Sequence, residues 1–301
     1  MMSENRIAIT GITGFVGRGL PPLLAKRGFS ITGVSRAGKG NVPGVDRWMT
    51  PESLDLSDHR AVIHLAGEPV ARRWTAEAKR SFRESRVDFT RTIVDAISRL
   101  PECHRPDVLV NASAVGFYGD RGDEILTESA GAGQGYLADL CRDWEEAAQL
   151  AADVGVRVVR MRIGIVLGHG GGAFERLRKV FKWGIGGKLG SGRQWMPWIH
   201  IDDLRDSIVH AVMSTSLEGA VNAVAPAPER NADFTARLAH ALRRPAILPV
   251  PAFALRLGLG EFSGALLASQ RAVPAALVSD GFNFRFPELE MAFRALLETP
   301  V

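Results

Sequence analysis

The 301-residue chain is 46% hydrophobic and 23% charged. These proportions exclude a disordered chain and leave room for a large core in one or two domains. A formal net charge of +4 at pH 7 suits a phosphorylated ligand but is too small and too diffuse to argue for nucleic acid. Cys103 and Cys141 have no Cys-x-x-Cys spacing and no histidine at ligand distance, so free thiols and no metal site are expected. A strand that starts at Arg6 leaves no room for a signal peptide, and no apolar run reaches the ~20 residues of a spanning helix. The expectation is a soluble cytoplasmic protein without a membrane or nucleic-acid partner.

Arg6 to Thr10 reads as a buried strand, followed by Gly11, Gly14 and Gly17 at three-residue spacing. In such a turn the first glycine allows a tight reversal, the second lets backbone approach a pyrophosphate, and the third lets helix and strand pack closely. The helix after it should run from Phe15 to Arg27, kinked at Pro21 and Pro22. Ser30 to Ser35 is the second strand. It is followed by Arg36 and Lys39, with no acid before Asp46, which favours the 2′-phosphate of NADP over the free ribose of NAD. The nearby Gly33 to Gly40 imitates a phosphate-binding P-loop. Gly40 replaces the magnesium-binding hydroxyl, however, and Pro43 prevents a following helix, so the motif is rejected.

A short strand is expected near Asp46 to Met49 and a buried one at Ala61 to Leu65, whose small end residues Ala66 and Gly67 would leave bare backbone for a cofactor. A helix follows from a Thr75 N-cap to Leu100, with Arg72 to Arg86 forming a solvated basic face. Val108 to Ala112 is another buried strand, Tyr136 to Ala152 a helix, and Val156 to Ile163 a strand. Repeated alternation of strand and helix predicts an α/β fold with a doubly wound parallel sheet.

Beyond Gly168 the texture changes. Gly170 to Gly172 reads as a flexible turn rather than an anion cradle. The loop Gly184 to Trp198 displays Arg193, Gln194, Trp195 and Trp198 either as a binding lip or as core plugs. Trp198 to Ile201 is a short strand with a helix capped by Asp202 or Asp203, and His200 reads as a structural histidine before a base. A proline-punctuated segment spans Ala246 to Pro251. Gly281 to Phe286 and a helix from Glu288 close the chain as a terminal strand and helix.

Several stretches together resemble the extended short-chain dehydrogenase/reductases: Thr10 to Gly17, Leu65-Ala-Gly-Glu-Pro69, Ser113 to Gly122, Leu140 to Glu145, Leu189 to Trp195, and Trp198 to Leu204. Within them the chain resembles the atypical epimerase-family proteins of the YfcH type. The likeness runs nearly end to end, and the part from about residue 250 resembles a domain without assigned function. The resemblance implies a Rossmann domain over 1–168, with 199–228 returning to it, and a small C-terminal α/β substrate lobe from 169–198 and 229–301. It also implies an NADP-type cofactor laid over Gly11, Thr13, Gly14, Phe15 and Val16, with Ser35 and Arg36 at the phosphate. Leu65, Ala66, Gly67 and Glu68 would underlie it, and Arg86, Ala112, Arg162, Gly164 and Ile165 would complete the site. A homodimer through helices 75–100 and 136–152 is a further implication.

Dehydrogenases of this superfamily use a serine, a tyrosine, and a lysine four residues after the tyrosine. The chemistry needs that lysine, because a tyrosine with pKa ~10 stays protonated at neutral pH unless a nearby ammonium lowers it. Ser113 matches the serine. Tyr136 is the natural base, with Tyr118 the chain's only other tyrosine. Four residues after Tyr136 stands Leu140, and the frame set by Glu145 places Leu137 and Cys141 in the pair. Neither frame holds a lysine. Three readings remain. The first, favoured narrowly, is an NADP(H)-dependent oxidoreductase or epimerase on a polar substrate, nucleotide-linked among the options, with Arg193 and His200 facing it. The others are a catalytically silent NADP(H) binder and an interaction protein.

Overall fold

The computed structural model describes residues 5–246 and 248–298. The apolar, β-branched runs form a seven-stranded parallel sheet: β1 (Arg6–Thr10), β2 (Ser30–Val34), β3 (Arg47–Met49), β4 (His59–His64), β5 (Val108–Ala114), β7 (Arg157–Ile163) and β11 (Gly219–Ala223). Between these in sequence lies the short β6 (Ile125–Leu126). The strand order is β11-β7-β5-β4-β1-β2-β3, with parallel pairing throughout. The order reverses between β1 and β4. In doubly wound sheets that switch point opens a crevice at the carboxyl ends of the strands, where ligands bind.

Side-chain alternation sends Ile7 and Ile9 to one face of the sheet and Ala8 to the other. The first face is covered by α1 (Pro21–Ala25), α6 (Ile201–Met213) and α10 (Ala275–Ser279), through Leu24, Leu204, Ile208 and Leu277. The second is covered by α2 (Ala76–Arg83), α3 (Phe89–Ser98) and α4 (Tyr136–Gln149), through Phe82, Ile93, Ile97 and Ala148. Both faces are therefore dry, which explains the continuous apolar strands.

The remaining elements build a smaller lobe. They are β8 (Ile165–Leu167), α5 (Gly172–Lys182), β9 (Trp195–Met196), β10 (Trp198–His200), β12 (Glu229–Arg230), α7 (Asn231–Leu242), α8 (Ala252–Leu259), α9 (Phe262–Leu267), β13 (Arg271–Ala272) and α11 (Leu289–Glu298). Phe174, Phe181, Trp198, Phe234 and Phe293 form its core. Three two-stranded pairings, β8 with β10, β9 with β12 and β6 with β13, stitch the lobe together and to the sheet domain.

Several expectations are corrected. The helix expected from Phe15 to Arg27 is a 3-10 turn, Gly17–Gly19, followed by the five-residue α1. Pro21 and Pro22 start that helix instead of kinking a longer one. At the first helical positions a missing N–H removes no hydrogen bond. The long helix does begin at Thr75, whose hydroxyl accepts from the Ala78 N–H at 3.1 Å, but a π-turn at Glu84–Asp88 divides it into α2 and α3. Gly281 to Phe286 forms no strand. Asp203 does not cap α6: its buried carboxylate accepts the N–H groups of Arg285 and Phe286, both at 2.9 Å, and ties the C-terminal segment down. Asp202 does not cap it either. His200 does, its Nδ1 accepting from the Asp202 N–H at 3.2 Å. Gly33 and Gly40 of the rejected P-loop lie against Trp48, and a Cβ on Gly40 would stand 2.5 Å from the ring. The Ala246–Pro251 segment includes Ile247, which lies outside the described residues.

Candidate active site

Two neighbouring regions of the carboxyl edge form the site. The first is the glycine turn. Gly11 has φ +65°, and a Cβ there would lie 2.6 Å from the Leu65 carbonyl carbon. Only glycine lets the turn rest on the end of β4. A Cβ on Gly17 would meet the Gly11 carbonyl at 2.5 Å, so the third glycine brings the 3-10 turn onto the first. Arg205 of α6 donates to the carbonyls of Phe15 and Val16 at 2.9 and 3.1 Å and fixes the turn's outer limb.

Beneath the turn, the Thr10 hydroxyl accepts from the N–H groups of Leu65 and Ala66 at 3.2 and 3.3 Å. It also shares a hydrogen bond with His64 Nδ1, 2.6 Å away. Burial holds His64 down at about 3, with the Arg86 guanidinium acting in the same direction. Arg36 is exposed and stands 3.6 Å from Glu68. Ser35 closes its own loop, donating to the Lys39 carbonyl at 2.8 Å. Arg86 donates to the Glu68 carbonyl at 2.9 Å, and its guanidinium fills the space beside Gly67 where a Cβ would lie. The π-turn gives Arg86 this aim, a common use of such bulges.

The second region is a cavity of about 780 Å³ between sheet domain and lobe, walled by Trp74, Arg86, Ser113, Tyr136, Cys141, Trp195 and Phe262 among others. Its floor is a buried polar chain. Ser113 donates to Glu145 at 2.7 Å, and Arg162 grips the same carboxylate with two hydrogen bonds of 2.8 and 2.9 Å. Arg162 also donates to the Tyr118 hydroxyl, which donates to Asn222 at 2.7 Å. Burial opposes the charge on Arg162, but Glu145 outweighs it and holds the guanidinium above its ordinary value. With its proton committed to a carboxylate, the Ser113 hydroxyl faces the cavity only as an acceptor. Cys141 is buried beside it, its thiol pushed up to about 12 by burial and then by the Glu145 charge. A neutral thiol of this kind is a poor nucleophile or base.

Tyr136 forms part of the cavity wall, yet its hydroxyl donates to the Lys79 carbonyl at 3.1 Å. Burial raises it despite Arg86 and Arg83 nearby. The Lys79 ammonium lies 4.8 Å from the Tyr136 ring centroid and pairs with Glu261 at 2.6 Å, joining the sheet domain to the lobe.

Residues 7–223 match the model of the NAD dependent epimerase/dehydratase family, with the glycine turn, the β4 end and the cavity floor inside the match. The chain belongs to that family. Residues 250–296 match a domain of unknown function (DUF1731). The chain is 37% identical to an Arabidopsis thaliana chloroplastic homologue of the epimerase family protein SDR39U1, over 98% of this chain and 88% of that one. It is 38% identical to an epimerase family protein of Mycobacterium bovis, over 94% of each. The crystal structure of human SDR39U1 with NADPH superposes with a TM-score of 0.90 at 33% identity, covering 98% of this chain and all of that one.

The expected residues separate into three groups. Gly11, Thr13, Gly14, Phe15, Val16, Ser35, Arg36 and Leu65 to Glu68 follow the ends of β1, β2 and β4 at the crevice, and Arg86 reaches it from the π-turn. Ala112, Ser113, Tyr136, Gly164, Ile165 and Trp195 line the cavity. Others are taken into the interior. Arg162 is buried under Ser113 in its pair with Glu145, away from the cavity wall, because a cation on an inner strand needs a partner. Tyr118 is buried and fully hydrogen-bonded, with burial raising its pKa, and it presents no group to the cavity.

In the loop 184–198, Trp195 is a wall and Trp198 a core plug whose indole donates to the Ala227 carbonyl. Gln194 bonds the Leu189 and Leu266 carbonyls from within. Arg193 opens on a separate hollow of about 460 Å³ shared with Arg230, Asp120 and Asp123. His200 is not turned toward the cavity: its ring centroid lies 3.9 Å from that of Phe286, tilted 40°, and burial holds it down at about 4, which keeps Nδ1 free to cap α6.

The reading of the residues gave no role to Glu145, Lys79, Glu261 or His64. Glu145 had a signal. Arg160 and Arg162 alternate onto one face of β7, and such cations on a central strand demand an acid, which the apolar face of α4 supplies at Glu145.

Proposed function

We propose that the protein binds NADP(H) across the ends of β1, β2 and β4, and that it holds the nicotinamide end over the cavity without the family's usual proton relay. The fit to the cofactor rests on the Gly11 turn, closed to any Cβ, and on the exposed Arg36 beyond β2, placed to meet a 2′-phosphate. NADPH in the human relative's crystal structure supports the same assignment. When bound, the cofactor would supply a hydride. The chain's own residues would bind, orient and exclude water through Trp74, Trp195 and Phe262. The 169–198 and 229–301 segments would serve as the substrate lobe.

The observation that carries this reading is the commitment of every candidate acid or base. Ser113 gives its proton to Glu145, Tyr136 gives its own to a backbone carbonyl, and Leu140 and Cys141 occupy the positions where a lysine would stand. The preference between the enzyme and the silent binder therefore moves to the binder. The test is thermal unfolding with NADPH and NADH, together with NADPH oxidation across a panel of carbonyl and nucleotide-sugar compounds. Stabilisation by NADPH above NADH, lost in Arg36→Ala, and no turnover are expected. Turnover that disappears in Ser113→Ala would sink it.

The oxidoreductase remains a second reading because the Lys79 ammonium stands over the Tyr136 ring, a spatial substitute for the missing lysine. It predicts turnover abolished in Tyr136→Phe. A homodimer through 75–100 and 136–152 is compatible with both readings, and light scattering of the purified protein tests it.

A further inference from the structure

We propose that the protein docks peripherally on an anionic phospholipid surface, through the face formed by the end of α5, the loop 183–190 and α8. Helix α8, Ala-Phe-Ala-Leu-Arg-Leu-Gly-Leu, is almost wholly apolar, yet Leu255 is its only fully buried side chain. Phe253 and Leu257, one turn apart, are 72% and 79% exposed, and Trp183 at the end of α5 is 81% exposed. Ile185 in the loop is exposed as well, and so is Leu248 just ahead of α8. These segments adjoin: the Val250 N–H donates to the Lys188 carbonyl and the Gly190 N–H to the Val250 carbonyl, both at 2.9 Å. Large apolar side chains grouped at the surface mark an interaction site.

Charge selects the partner. Between Glu175 and Asp202 the chain has no acid, and between Asp233 and Glu261 it again has none. Lys179, Lys182, Lys188, Arg243, Arg244 and Arg256, all exposed, fall in these two stretches. The whole chain carries a net charge of only +4, whereas Lys182 and Lys188 flank the apolar loop and Arg256 stands on α8 itself with no acid in either stretch. An exposed tryptophan and aliphatic side chains, on segments that also carry long-stemmed cations and no acid, match the chemistry of a bilayer interface. The rings enter the headgroup region while lysine and arginine reach anionic phosphates.

The same charge disfavours a second copy, because a two-fold contact would oppose the face to its own cations. Among the described residues no helix is long and apolar enough to cross a membrane, so the contact is peripheral. Helix α9, directly after α8, supplies Phe262, Ala265 and Leu266 to the cavity wall, and the docked face would therefore adjoin the cavity.

The test is flotation of the full chain, with NADPH present, on vesicles of phosphatidylcholine alone and of phosphatidylcholine with phosphatidylglycerol. Binding only to the second, weakened by salt, is expected. Trp183→Ser combined with Phe253→Ser should lower it at least about tenfold, as should Lys182→Glu with Lys188→Glu. These positions are exposed, and unchanged thermal unfolding will show that the variants fold. Failure of the wild type to float with anionic vesicles overturns the proposal, as does undiminished binding by the variants. So does a wild-type dimer that Trp183→Ser with Phe253→Ser converts to monomer, which would make the face a self-contact.

Discussion

The glycine turn and the cavity floor lie at the same edge of one sheet, only two strands apart, and they have been treated in opposite ways. At β1 and β4 backbone meets backbone: Gly11 touches Leu65 with no side chain between them, and Thr10 with His64 supports the strand end from below. At β5 and β7 the polar side chains are present but face inward, into the chain Ser113–Glu145–Arg162–Tyr118–Asn222. On the proposed reading, a binding edge and a reacting edge are separated within one fold. Shape preserves the first, and only free protons would preserve the second.

The sharpest way to break the contrast is to release the floor. Glu145→Ala leaves the buried Arg162 guanidinium without its carboxylate counter-charge and should cost about 3–5 kcal/mol in denaturant unfolding. Surviving protein should still bind NADPH, because the turn does not touch that pair. Equal loss of NADPH binding and stability would mean that the two regions are one unit.

Next, Gly11→Ala places a Cβ against the Leu65 carbonyl at positive φ. About 2–3 kcal/mol of destabilisation is expected, with loss of the NADPH-induced shift in Tm. A normal shift in this variant would remove the turn from the cofactor site.

A pH series probes the support beneath the turn. His64 is held at about 3 in the folded chain against 6.5 unfolded, so between those values the unfolded chain binds more protons. Stability should fall as pH is lowered through that window. Its share between pH 7 and pH 5 is about 2 kcal/mol, and His64→Gln should flatten the profile by that amount. An unchanged slope would show that other groups set it.

The smallest effect concerns the bridge over the cavity. Lys79→Met should lower stability by about 0.5 kcal/mol at low salt, an effect that added salt erases. It should leave the NADPH shift intact. A large loss would show that the Lys79–Glu261 pair holds the lobe closed.

How much could be read in advance differs between the regions in the same way. The turn depends on residues close in sequence and on backbone shape, so Gly11, Gly14 and Gly17 after an apolar strand were legible, while the role of Arg36 after the second strand belongs to the proposed cofactor reading. The lobe was harder. Trp195 and Trp198 stand three residues apart in one glycine-rich loop, and only packing decided that one lines a cavity and the other fills a core. Composition could not tell an N-cap histidine from a substrate-facing one at His200.

The sequence by itself determined the parallel sheet, the order of its elements, the glycine turn after the first strand and the absence of a Tyr-x-x-x-Lys pair. The tertiary structure alone decided where Ser113, Tyr118 and Arg162 send their protons. A buried hydroxyl or guanidinium must find a partner, and for these residues it comes from α4 and β11, far along the chain. Strand and glycine patterns record local geometry. The partner of a buried polar group is set by the strand and helix that happen to pack beside it.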